Sequence, residues 1–101
     1  MTENTHTVII AKEIADLIPV FFRNRQKEVE TLRSALAAGD FAQLRQLGHR
    51  MKGVGTSYGF ARVSEIGKRV EDCASAGNKA AIEACIGEYT DYLSKVQVVY
   101  E

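Results

Sequence analysis

The chain contains one proline, Pro19, and beyond it apolar residues recur three and four positions apart, in runs broken only by short glycine-bearing connections. Spacing of that kind lays apolar side chains along one face of a helix. Phe22, Val29, Leu32 and Leu36 form one such stripe. Val63, Ile66, Val70 and Cys73 form another, and Ile82, Ile86, Tyr89, Leu93 and Val96 a third. "Gly39-Asp40" and "Gly77-Asn78" each offer a helix stop followed by an N-cap, and Gln43 completes a capping box with Asp40. The expected helices cover residues 7–18, Pro19 to about Ala38, 41–58, 61–76 and 79–99. Pro19 breaks the first from the second and suits a helix start. No alternating strand pattern is read. The expectation is an all-α fold, an up-down-up-down four-helix bundle with a short extra N-terminal helix.

With 101 residues the chain suffices for one domain, expected over 1–101, with residues 1–6, His6 among them, as a flexible tail. A hydrophobic share of 46% argues against disorder. Thirteen Lys and Arg balance thirteen Asp and Glu, which argues against a dedicated nucleic-acid binder. No apolar run is long enough to span a bilayer, and the N-terminus lacks the features of a signal peptide. Cys73 and Cys85 have no metal or redox-motif spacing and read as reduced core thiols. A cytoplasmic monomer is expected, and the initial methionine favours a chain that stands alone.

Residues 47–60, "LGHRMKGVGTSYGF", carry four glycines around one histidine inside an expected helix. Each glycine costs a helix interior roughly 0.5–1 kcal/mol against alanine. At about 100° per residue, Leu44, Leu47, Met51, Val54 and Tyr58 share the core side, and His49 points almost opposite. Arg45, Lys52, Gly53 and Thr56 fall within about 60° of His49 on the outward face. Between Asp40 and Glu65 the sequence has no acidic residue, while Arg45, Arg50, Lys52 and Arg62 lie in that interval. Such a field favours a neutral, nucleophilic imidazole and steadies an arriving anion, chiefly a phosphoryl group. Gly53, one turn after His49, leaves room for a partner's surface. Gly48 and Gly55 flank the core stripe and suit close helix approach, and Gly59 suits a helix stop.

The segment "LGHRMKGVGTSYGFARVSEIGKRVE" resembles the signature of histidine-containing phosphotransfer (HPt) domains: a small residue, His, two variable positions, Lys and Gly, with a further Gly six residues on. Here these are Gly48, His49, Lys52, Gly53 and Gly59. "Val70-Glu71" resembles the family's later Leu-Glu or Leu-Gln pair, and the preceding helix and Gly-Asp turn are also similar. The resemblance covers roughly residues 15–98. It implies that His49 accepts a phosphoryl group from a receiver-domain aspartyl phosphate and passes it to another receiver. Lys52 would stabilise that group, and Glu71 would hydrogen-bond the other ring nitrogen and orient the imidazole. Gly48 stands where alanine is common, which adds flexibility and breaks no chemistry.

The partners implied are response-regulator receiver domains, a hybrid histidine kinase, or both. Arg45, Gly53, Thr56 and Phe21 are the expected contact residues, although Phe21 equally suits the core. The chain itself would need no cofactor, with Mg²⁺ on the receiver. Having no nucleotide-binding loop of the GxxxxGK[ST] kind and no room for a kinase domain, it reads as a phosphoryl carrier rather than an enzyme. The alternative is a helical-bundle adaptor that binds a signalling partner without phosphate. A metal or haem site built on His49 and Met51 is disfavoured because the two point to opposite sides of one helix.

Overall fold

The computed structural model describes residues 7–101, so the expected tail, residues 1–6 with His6, lies outside the described residues. Four helices carry the fold: α1 (Ile18–Ala38), α2 (Phe41–Tyr58), α3 (Ala61–Ser75) and α4 (Lys79–Lys95). Connections of two or three residues force each helix to run back along the one before. Each helix packs on its sequence neighbours, and α1 closes the ring against α4. The chain is an all-α four-helix bundle.

The helix ends follow local chemistry. Pro19 sits in the first turn of α1, where its missing N–H costs nothing. Gly39, at φ 69°, ends α1 in the left-handed conformation that a side chain resists, and its N–H reaches the Ala35 and Leu36 carbonyls. The Asp40 carboxylate then accepts from the Gln43 amide at 3.0 Å. Gly59 closes α2 at φ 84°, and the Asn78 side chain caps α4 through the Ala81 amide at 3.1 Å.

Both ends of the chain depart from the expected helices. Residues 7–18 were expected as one short helix. They form instead a strand, β1 (Thr7–Ile10), and a 3-10 helix, Lys12–Leu17, that runs into α1. The last helix stops at Lys95 rather than 99, and β2 (Gln97–Tyr100) follows. β1 and β2 pair in parallel, Thr7 opposite Gln97 and Ile10 opposite Tyr100. "TVII" and "QVVY" are rich in β-branched and aromatic residues, which suit a pleated surface.

The core runs through Leu32, Leu44, Met51, Phe60, Val63, Ile66, Val70, Ile82, Ile86 and Tyr89, all fully buried. On α1 the buried line is Ile18, Phe21, Arg25, Glu28, Leu32 and Ala35. Leu32 lies in the core as expected, but Phe21, Glu28 and Ala35 take the places expected of Phe22, Val29 and Leu36, which sit half-buried at the flank. Two charged residues can occupy that line because they satisfy each other. Arg25 Nε donates to Glu28 Oε1 at 3.0 Å, and the Tyr89 hydroxyl of α4 donates to the same oxygen at 2.7 Å. Burial, with the Glu28 charge beside it, pushes the Tyr89 phenol far above its ordinary range. Among the described residues no buried side-chain polar atom lacks a partner, and no helix is long and apolar enough to cross a membrane.

Candidate functional site

The site begins with a contact between backbones. A Cβ placed on Gly48 of α2 would lie 2.6 Å from the Gly67 carbonyl oxygen and 2.6 Å from the Glu71 nitrogen of α3. One on Gly67 would lie 2.7 Å from the Gly48 oxygen and 2.8 Å from the Lys52 nitrogen. Gly55 meets Ser64 and the Phe60 carbonyl in the same way. Three glycines therefore let α2 and α3 touch along their length, closer than any side chain would allow. Gly48 and Gly55 were read as close-approach residues. Gly67 was not singled out, although its place between Val63 and Val70 puts it on the apolar face of α3.

That contact brings Glu71 to His49. The imidazole stands on the outer face of α2 with its side chain 70% exposed, and Nδ1 lies 3.3 Å from Glu71 Oε2. The other carboxylate oxygen, Oε1, accepts from Lys52 Nζ at 3.1 Å. One carboxylate thus holds both the imidazole and the lysine. The Lys52 hydrogen bond, aided by the Lys52 charge, holds the Glu71 carboxyl below the usual carboxylate range. The acid-free face read along α2 therefore receives one negative charge from α3. An ionised carboxylate can only accept, so a hydrogen bond here needs the ring proton on Nδ1.

The remaining expected residues divide. Arg45, Gln46 and Arg50 join His49 and Glu71 around an open cavity of about 330 Å³. Arg45 and Arg50 are exposed. A Cβ on Gly53 would meet nothing within 4 Å, so the surface one turn beyond His49 is bare. Thr56 is exposed, yet its hydroxyl is engaged: it reaches the Lys52 carbonyl at 3.1 Å and the Ser64 hydroxyl at 3.1 Å. Ser64 Oγ donates to the same carbonyl at 2.8 Å. Ser64 was missed because a lone serine in a helix leaves no signal of its tertiary partner.

Phe21 is corrected. Expected among the partner contacts, it is 3% exposed and stacks on Phe60 with ring centroids 4.5 Å apart. Tyr58 and Phe22 enclose it further, and the Arg25 guanidinium covers its ring at 5.0 Å. Met51 is fully buried on the side of α2 away from His49.

Comparisons with curated proteins and with solved structures return no significant match. A family model, the Hpt domain, matches residues 16–98. That span takes in all four helices and every side chain gathered around His49, and the chain belongs to the Hpt domain family.

Proposed function

We propose that this chain, a phosphoryl carrier and not a kinase as Hpt domains of two-component phosphorelays are, accepts a phosphoryl group on His49 Nε2 from the aspartyl phosphate of a receiver domain and passes it to a second receiver. The carrying observation is the exposed ring with Nδ1 turned to Glu71, which supports Nε2 as the attacking nitrogen. The Nε2 lone pair attacks phosphorus, the bond from phosphorus to the aspartyl oxygen breaks, and the carboxylate leaves with that electron pair. Nδ1 keeps its proton, so the product is a phosphorylated imidazolium facing Glu71. Onward transfer runs the same step in reverse.

Lys52 sits one turn from His49 and supplies a cation to the phosphoryl oxygens. Glu71 orients the ring, and Arg45 and Gly53 meet the visiting domain. Thr56 steadies the Lys52 turn from the edge of that contact. Mg²⁺ belongs to the receiver. The chain works as a monomer in the cytoplasm with receiver domains, a hybrid kinase, or both.

Incubation with a phosphorylated receiver, or with a small phosphodonor, is expected to give an acid-labile, base-stable label. His49→Gln should abolish it while the helical circular dichroism stays intact. A folded chain that takes no label from either source would overturn the proposal in favour of a helical adaptor.

A further inference from the structure

The antiparallel packing of α3 and α4 brings the two cysteines face to face. Arg69 Nη1 of α3 bonds Glu88 Oε1 of α4 at 2.8 Å, which fixes the register of the pair. One turn further along α3 stands Cys73. One turn back along α4, on the opposing face, stands Cys85. Both belong to the core wall between the helices, Cys85 inside the buried cluster and Cys73 packed against it.

The two sulfurs are not equivalent. Cys85 is 2% exposed and sealed from solvent, whereas Cys73 is only half-buried at the rim. Burial pushes the Cys85 thiol up, so the inner sulfur stays a protonated thiol. A half-buried thiol at the rim beside a fully buried second thiol is the arrangement of an attacking and a resolving cysteine.

We infer that Cys73 and Cys85 are an oxidisable pair that a peroxide converts into a disulfide joining α3 to α4. The Cys73 thiolate attacks the peroxide oxygen and breaks the O–O bond, giving a sulfenic acid and releasing water once the leaving hydroxide is protonated. The Cys85 sulfur then displaces hydroxide from the Cys73 sulfur, forms the S–S bond and gives up its proton, which leaves with the hydroxide as a second water. In sum two thiols lose two electrons and two protons, and the peroxide is reduced to two waters. The bridge closes the loop over the Gly77-Asn78 connection and ties down the turn of α3 that carries Glu71. It does not depend on phosphotransfer at His49.

The test treats the intact chain with a small excess of hydrogen peroxide, then unfolds it in N-ethylmaleimide and weighs it. Both alkylation sites should vanish together in a monomeric chain, with a mass loss of two hydrogens, and dithiothreitol should restore both. In Cys85→Ser, Cys73 should stop as a sulfenic acid that dimedone traps. If that variant fails to fold, the wild-type measurement decides alone. Oxidised wild-type chain that keeps both thiols, that carries Cys73 on to a sulfinic acid beside a free Cys85, or that bridges only between chains would overturn the inference.

Discussion

Gly48→Ala tests whether the α2–α3 contact is as close as described. The new methyl would begin 2.6 Å from two backbone atoms, the Gly67 oxygen and the Glu71 nitrogen, and 3.1 Å from Glu71 Cα. Ordinary contact starts at 3.4 Å, and no flexible side chain is there to give way, so the helices themselves must part. Overpacking of this kind costs about 1–3 kcal/mol. Alanine returns about 0.5–1 kcal/mol of helix propensity. The net is a loss of up to about 2.5 kcal/mol, or a fall in Tm of up to about 20 °C for a domain of this size. Gly53→Ala is the matched control. Its methyl meets open space, so only the propensity gain remains and stability should rise by about 0.5–1 kcal/mol. Urea titrations of both variants, followed by helical circular dichroism, give the two signs directly. Gains of equal size in both would refute the close contact, and with it the account of how Glu71 reaches His49.

Removing Glu28 leaves Arg25 buried without its counter-charge, so Glu28→Ala should cost about 3–5 kcal/mol. Tyr89→Phe loses one hydrogen bond to a charged acceptor and should cost about 1.5–3 kcal/mol. Urea titration reads both, and a Glu28→Ala loss below about 1 kcal/mol would contradict the buried pairing. Glu71 has a folded-state pKa below its unfolded value, chiefly through Lys52, so its contribution is present above the carboxylate range and lost as pH falls through it. Tm measured against pH should separate wild type from Glu71→Gln at neutral pH and bring the curves together in acid; a constant offset would count against the ion pairs. Arg45→Glu with Arg50→Glu reverses the charge of the cavity wall beside His49. Transfer from a receiver should slow by about tenfold or more at low salt, with the gap narrowing as salt screens it, and a salt-independent rate would remove the electrostatic role.

The middle of this fold could be read from the sequence because its signals are local. Gly39-Asp40, Gly59 and Gly77-Asn78 mark turns within a few residues of themselves, and α2 runs over 41–58 as its spacing implies. The outward turn of His49 followed from the same wheel. What escaped depended on distant partners. Four-residue runs such as "TVII" and "QVVY" fit helix and strand alike until each meets the other across ninety residues. Arg25 and Glu28 broke the apolar pattern of α1, so the stripe, Leu32 apart, was placed one residue off and Phe21 was put partly outside. Their places inside make sense only with Tyr89 in view. Glu71 entered through family resemblance, since nothing along α3 itself points to an imidazole on α2.

The parallel pairing of β1 and β2 has a kinetic side. Every helix finds its first neighbour nearby in sequence, whereas Thr7 must find Gln97 across almost the entire chain. Closing so long a loop for four rungs of ladder is worthwhile only after the bundle has drawn the two segments together. The strands are then a clasp that shuts last and springs first. Amide exchange in native conditions would show them opening while the helices stay shut, and His49, carried mid-bundle on α2, would keep its shape through each such opening.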